Sequence, residues 1–274
     1  SIDLTANRLS VGSINTLKTD SFSTVSAPVK YGNIALTGNE LNFTGGANRV
    51  IGTGTILLQP LATSQNMVLG GTAPSGMENL DLTATNLAAL QNGFSSIVFG
   101  RSDSSGKISL GGNVTFNDPV TFRSPATSGS INTTGFTLTG ADNATINFLA
   151  DGNIATGNIV NPGRSIVLNS ANGSIDTSNA FLNTSSANSS GGTINFTAKT
   201  GINLGAIDTS TAATSSTASA GTLSLNSSTG NILLNGDINT SAVTGSGSNL
   251  NFNNSATLAK SLTINTVGTA GSGS

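Results

Sequence analysis

The feature that most constrains the fold of this chain is a sequence motif that occurs four times in its second half. Each copy opens on a short apolar segment, which begins at Ile166, Ile194, Leu223 and Leu250, so the period is 27 to 29 residues. A repeat of strand fragments with this period predicts a solenoid, because each coil buries its apolar side only by stacking on its neighbours. The isoleucines that we take to close the four copies are Ile175, Ile207, Ile238 and Ile264.

Short segments of alternating character run through the rest of the chain, for example Ile34-Ala35-Leu36, Ile97-Val98-Phe99 and Val120-Thr121-Phe122. Alternation with a period of two is typical of half-buried β-strands. The segments are too short to form an ordinary sheet core. In the first half we expect less regular coils that start near Ile34, Ile56, Leu80, Ile97, Ile108 and Ile131.

Pairs of small residues separate the strand segments and predict the corners of the coil. Glycine and asparagine adopt positive φ at low cost, so each pair can redirect the chain. The same chemistry suits two-residue hairpins, and an antiparallel meander is the competing fold. The period favours the coil, since a meander has no reason to keep a phrase of 27 to 29 residues. The pairs are Gly32-Asn33, Gly45-Gly46, Gly111-Gly112, Asn172-Gly173, Gly191-Gly192 and Gly230-Asn231.

Three inserts rich in Ser, Ala and Thr fall at one point of the repeat, at 179–192, 211–221 and 242–248. Repeat proteins place such insertions on one edge, where they leave the stacked core undisturbed. One segment departs from the strand pattern: good helix formers at 84–92 lie between Thr83 and Gly93, which predicts one short capped helix.

These observations together predict an all-β chain that folds as a parallel β-helix with roughly three strands per rung. We expect a single domain over 1–274, with less regular rungs over 1–160, regular repeats over 164–266 and a polar tail over 267–274. A solenoid of this length needs no second core.

Composition argues against several classes of function. Only 8% of the residues are charged, the net charge is −2, and the basic residues are scattered singly. Without a basic cluster we expect neither nucleic acid nor an anionic membrane as a partner. No apolar run approaches 18 residues and the chain opens without a leader pattern, so we expect no membrane insertion and interpret the chain as a mature or excised segment. The absence of cysteine favours an extracellular location.

The twelve acidic residues are mostly isolated, whereas polysaccharide lyases and hydrolases need converging carboxylates. Asp176, Asp208 and Asp237 recur on successive copies and could together bind a cation through oxygen. Their register relative to the isoleucines is broken, which favours corner residues capped by their own backbone. With no His or Cys, metal binding and serine activation lack their usual groups. We therefore predict no enzyme, no cofactor, and no catalytic, cofactor-binding or metal-binding residues.

Several phrases between residues 30 and 170 resemble the repeat region of filamentous haemagglutinin-like exoproteins. They include Asn92-Gly93-Phe94-Ser95-Ser96-Ile97-Val98-Phe99-Gly100-Arg101 and Gly112-Asn113-Val114-Thr115-Phe116-Asn117-Asp118-Pro119-Val120-Thr121-Phe122. The resemblance implies a right-handed parallel β-helix secreted by Gram-negative bacteria, including cyanobacteria, through a two-partner transporter. It also implies a location on or outside the cell. The amino-terminal secretion domain of such proteins is not evident in this sequence.

Three functions are candidates for a chain with these sequence features. The first is a secreted surface adhesin, a stiff spacer that displays Ser/Thr/Asn-rich loops to glycans or to a host or neighbouring cell surface. The second is a structural subunit of an extracellular filament or sheath, a homopolymer formed by end-to-end stacking of the β-helix. The third is an enzyme that acts on polysaccharides, which the isolated acids disfavour.

Overall fold

The chain folds into a three-sided parallel β-helix, as the repeat predicts. The computed structural model describes residues 1–15, 32–72, 78–215 and 217–269. The end of the predicted polar tail, 270–274, lies outside the described residues.

The first side is a sheet of ten parallel strands that neighbour one another in chain order. Nine steps of about 4.8 Å between strands make this sheet about 43 Å long. Its strands are β1 (Ile2–Thr5), β4 (Ile34–Thr37), β7 (Thr55–Gln59), β10 (Ser96–Phe99), β13 (Val120–Ser124), β16 (Ile146–Ala150), β19 (Ile166–Ser170), β22 (Ile194–Ala198), β25 (Leu223–Ser227) and β28 (Leu250–Phe252).

The second side is a parallel sheet of nine strands. In spatial order these are β9 (Asn79–Leu82), β8 (Asn66–Leu69), β11 (Lys107–Leu110), β14 (Ser130–Asn132), β17 (Ile154–Ala155), β20 (Ile175–Asp176), β23 (Ile202–Leu204), β26 (Ile232–Leu234) and β29 (Ala256–Leu258).

The third side is a parallel sheet of seven strands. These are β12 (Val114–Phe116), β15 (Leu138–Gly140), β18 (Ile159–Val160), β21 (Phe181–Asn183), β24 (Ala206–Asp208), β27 (Ile238–Asn239) and β30 (Ile264–Asn265).

The amino-terminal coils are less regular than those from β10 onward, where each rung contributes one strand to each of the three sides. Here β2 (Arg8–Val11) pairs with β5 (Glu40–Phe43), and β3 (Ile14–Asn15) pairs with β6 (Val50–Ile51). After β8 the chain steps back along the axis, because β9 pairs with β8 on one side and contacts β5 on the other. The second side therefore gains one extra strand at this place.

The predicted helix is present but shorter than expected. Helix α1 (Ala84–Ala88) is capped by Thr83, whose side chain accepts from the backbone N–H of Asn86, and the Asn86 side chain in turn accepts from the backbone of Thr83. It ends at Ala88, with Ala89 as its C-cap, rather than near Gly93, because Leu90 already forms a parallel bridge with Val50. Pairing with the stack thus ends the helix before the Asn-Gly stop signal is reached.

The core consists of columns of identical or similar apolar residues. On the first sheet, Ile97, Val120, Ile146, Ile166 and Ile194 lie directly over one another and are buried. The neighbouring column contains a run of aromatic residues, in which the Phe122 and Phe148 ring centroids lie 4.8 Å apart. Such columns replace the single globular core of an ordinary domain.

The register of the repeat differs from the sequence prediction in one respect. The opening residues Ile166, Ile194, Leu223 and Leu250 are stacked, as predicted. Ile175, however, pairs with Ile202 on the second sheet, whereas Ile207, Ile238 and Ile264 form a column on the third sheet. The alignment was wrong because a three-sided rung carries two inward isoleucine segments after its first strand.

The same ambiguity affected the predicted coil starts of the first half. Ile34, Ile56 and Ile97 belong to the first sheet and do open coils. Leu80, Ile108 and Ile131 belong to the second sheet. An inward aliphatic residue has the same sequence pattern on each of the three sides of a rung. Periodicity therefore did not distinguish strands of the first sheet from strands of the second.

Candidate functional site: the loop stack and the corner groove

The three polar inserts emerge at one corner, between the third sheet and the first, as predicted. The first insert begins later than expected, because 179–192 includes strand β21 (Phe181–Asn183). We use the term loop stack for residues 185–191, 210–215, 217–220 and 241–247. None of these residues carries a charge.

Each loop of the stack is closed by a buried threonine. The hydroxyls of Thr184, Thr209 and Thr240 donate to the carbonyls of residues 192, 221 and 248 at 2.6, 2.6 and 2.8 Å. The backbone carbonyls of the same threonines accept from the N–H groups of the same three residues. All three side chains have no measurable exposure. This two-bond clamp brings the ends of each loop together over the core.

The loops also pair with one another, which the sequence did not predict. Isolated parallel bridges join Ser186 to Thr211, Thr211 to Ala242 and Ala242 to Gly268. In the second half of the loops, where the chain returns to the core, the N–H of residue 191 donates to the carbonyl of Ser219 at 3.0 Å. The loops therefore form an ordered flank that continues the stacking of the core.

Small apolar side chains line the inner surface of this flank. Ala213, Ala218 and Ala242 are buried, whereas Asn188 and Thr214 are exposed. The alanine content of the inserts, which looked like low complexity in the sequence, thus has a packing role. The outer surface of the stack presents mainly hydroxyl and amide groups.

Asp176, Asp208 and Asp237 do not form a common column. Asp176 lies opposite Asn203 on the second sheet, and Asp208 lies opposite Asn239 on the third. The Oδ1 atoms of Asp176 and Asp208 each accept a backbone N–H two residues ahead at 2.9 Å, which confirms the prediction of self-capped corners. Asp237 instead accepts from the N–H of Thr263 in the next coil at 2.8 Å.

Other acids have local structural partners. Asp103 pairs with Arg101 at 2.8 Å, and this hydrogen bond lowers the pKa of the carboxyl. Asp118 is 2% exposed and accepts the N–H of Gly93, while its burial raises its pKa. Within the described ranges, no three His, Cys, Asp or Glu side chains are grouped so that they could hold a metal ion.

A groove follows the corner between the first and second sheets. Its main depression has a volume of about 550 Å³, and a second one of about 270 Å³ continues it along the axis. Gly152 and Gly173 line the main depression. A Cβ atom on Gly152 would lie 2.8 Å from the carbonyl oxygen of Ser128 in the coil below, so the stacking requires glycine there.

Polar side chains form the two walls of this corner groove. Asp151 and Asn172 stand on one wall, where the Asn172 amide donates to the Asp151 carboxylate at 2.6 Å. Asn132 stands on the other wall, and Ala155 follows it in the next rung. The Ser128 N–H also donates to Asp151 at 2.6 Å, and these two bonds lower the pKa of Asp151. Its carboxylate is therefore ionised at neutral pH.

Comparison of the chain with protein-family models, with curated proteins and with solved structures found no match. Among the residues that the structure describes, no helix has the length and apolar character needed to cross a bilayer.

Proposed function

We propose that this chain is a non-enzymatic segment of a secreted surface exoprotein, a stiff rod that holds polar loops for contact with cells or glycans. The observation that carries this proposal is the loop stack. Its loops are ordered, uncharged and rich in hydroxyl groups, and they project from one corner of the rod.

The architecture suits repeated weak contact. Adjacent loops lie one rung spacing apart, so a surface that carries many copies of one ligand can contact several loops at the same time. Linked weak sites gain affinity through effective concentration when the spacing between them is fixed. The clamps at Thr184, Thr209 and Thr240 fix that spacing.

The proposed extracellular location is supported by the composition. The chain has no cysteine and few charges, and its stability comes from stacked aliphatic columns and backbone ladders. The resemblance to filamentous haemagglutinin-like exoproteins stays part of this proposal, together with two-partner secretion.

The proposal is tested by measuring binding of the purified, fluorescently labelled chain to a glycan array and to bacterial and epithelial cells. The matched variants place three glutamates either on the loop stack (Asn188→Glu, Thr214→Glu, Val243→Glu) or elsewhere (Asn143→Glu, Asn195→Glu, Thr222→Glu). All six positions are exposed. We expect at least a tenfold loss with the first set and little change with the second. Absence of binding by the unmodified chain would overturn the proposal, as would loss of viscosity when the chain is added to polysaccharide solutions.

The second candidate is a subunit of an extracellular filament, and one observation favours it. Among the described residues, strands β28, β29 and β30 have a partner on one side only, and the last coil exposes Leu258, Ile264 and Val267. Stacked strands with an open edge recruit further strands. Electron microscopy at increasing concentration tests this candidate, since ordered fibres support it and isolated short rods count against it.

A further inference from the structure

We propose that the corner groove binds a linear, uncharged oligosaccharide that lies along the axis of the rod. This inference goes beyond the loop stack, because the groove lies at a different corner. Either surface can bind without the other.

Glycines recur at one position of most coils along the groove, and Thr200 takes this position in the coil between those of Gly173 and Gly230. Gly106, Gly129, Gly152, Gly173 and Gly230 each stand two residues before the inward isoleucine of a second-sheet strand. A Cβ at any of them would lie within 3.0 Å of an atom in a neighbouring coil or in its own turn. The neighbouring coil or the turn itself therefore occupies the space that a side chain would take, and closely packed backbone at Gly152 and Gly173 forms the floor of the trough between two rows of polar residues.

The dimensions of the trough suit an extended sugar chain. The two depressions together are lined from Lys107 in strand β11 to Asn231 at the start of β26. These strands are five rung steps apart, which is about 24 Å. Along this length Asn132, Asp176 and Asn203 stand in one column, which Ala155 interrupts once. The strand spacing of about 4.8 Å is close to the length of one ring in an extended β-linked glycan.

The chemistry of the walls favours hydroxyl groups. Asn132, Asn172 and Asp176 offer amide and carboxylate atoms on both sides, and Ala155 widens the trough between Asn132 and Asp176. Hydrogen bonds to an ionised carboxylate such as that of Asp151 are about twice as strong as those between neutral groups. A ligand with many hydroxyls and no charge uses these groups without desolvating a charge of its own.

A peptide suits the groove less well than a sugar chain. The backbone groups of the flanking strands are already paired between coils, so a peptide cannot bind by adding a strand on this face. The main depression also lacks large exposed apolar side chains that would anchor a peptide. Its single positive residue, Lys107, lines the same depression as the negatively charged Asp151. This balance of charge argues against a polyanionic ligand.

The test uses isothermal titration calorimetry of the full chain with cellohexaose, chitohexaose and maltohexaose. We expect at least one of the two extended β-linked hexasaccharides to bind, and the curved α-linked maltohexaose to bind at least tenfold more weakly. The variant Ala155→Phe fills the trough and should weaken binding at least tenfold. The matched control, Val167→Phe, places the same ring on an outward position of the first sheet and should leave the affinity within twofold.

The variant Lys107→Ala gives a second measurement, because its side chain is exposed and its removal does not affect the core. We expect a threefold to tenfold loss of affinity. The inference is wrong if none of the three hexasaccharides binds, or if Ala155→Phe binds as tightly as the unmodified chain. It is also wrong if Val167→Phe loses as much affinity as Ala155→Phe. Loss of loop-stack binding in the glutamate variant, with hexasaccharide binding intact, would separate the two surfaces.

Discussion

Single polar side chains close the coils of this protein. The threonine clamp is the clearest case, because one buried hydroxyl and one backbone carbonyl hold both ends of a loop. Asparagine acts in a related way at the corner before a strand: the side chains of Asn113, Asn153 and Asn158 each accept an N–H from the next coil at 2.8 to 2.9 Å. These residues satisfy backbone groups that a corner would otherwise leave without a partner.

The threonine clamp predicts a measurable stability loss on removal of one hydroxyl. Thr209→Val keeps the shape of the side chain but removes the donor to the buried carbonyl of Gly221. We expect the chain to lose about 1 to 3 kcal/mol, the usual cost of an unpaired buried polar group. Urea unfolding followed by circular dichroism measures this loss. The control Thr222→Val is exposed and should change stability by less than about 0.5 kcal/mol; equal effects of the two variants would contradict the clamp.

Asp118 predicts a specific dependence of stability on pH. Burial raises its pKa in the folded chain above the ordinary value of about 3.9. The favourable contribution of this carboxyl is therefore full below the unfolded pKa and is lost as the pH rises through the folded pKa. We expect the stability of the unmodified chain, relative to Asp118→Asn, to fall as the pH increases from about 3 to 7. Urea midpoints of both proteins across this range measure it.

Asp103→Asn provides the control of opposite sign. The hydrogen bond from Arg101 lowers the pKa of Asp103, so its stabilising contribution is present above the unfolded pKa and is lost as the pH falls through the folded pKa. Relative to Asp103→Asn, the unmodified chain should gain stability over the same rise in pH. Parallel curves for the two variants would show that the assignments are wrong.

Among the corner elements, glycine serves close stacking more than it serves tight turns. We predicted that the paired small residues would adopt positive φ, but of the glycines in those pairs only Gly46 does so. Gly230 shows the alternative reason, because a Cβ there would overlap the carbonyl of Thr200 in the coil below. The prediction of corners was correct, and the reason given for their glycines was wrong at most positions.

Gly230→Ala should therefore disturb the contact between two coils. We expect a loss of about 1 to 3 kcal/mol, as for other overpacked sites, because the backbone of strand β26 must move away from its neighbour. Thermal unfolding followed by circular dichroism detects the change. Gly12→Ala is the matched control, since a Cβ at Gly12 meets no atom within 4 Å. A stability loss at Gly12 as large as that at Gly230 would refute the steric explanation.

The whole molecule is quasi-one-dimensional, and each coil depends only on the coils beside it. In such proteins the end units have one neighbour rather than two and open more readily. The coil of β28, β29 and β30 is also the most exposed of the carboxy-terminal coils.

Hydrogen exchange measured by mass spectrometry should reveal this gradient. We expect amides of residues 250–265 to exchange at least tenfold faster than those of residues 194–208, which lie between fully paired coils. The expected gradient should disappear if high concentration drives end-to-end stacking. Uniform exchange at low concentration would contradict the independence of the coils.

The sequence by itself determined the architecture: the repeat and the alternation predicted a parallel coil, the corner that carries the inserts, and the position of the short helix. Local patterns are sufficient for this because every rung repeats the same burial. Only the tertiary structure decided which isoleucines share a column, since the three sides look alike in sequence. It also decided that the loops pair with one another and that glycine is needed where two coils approach closely, because both depend on contacts between residues about one coil apart.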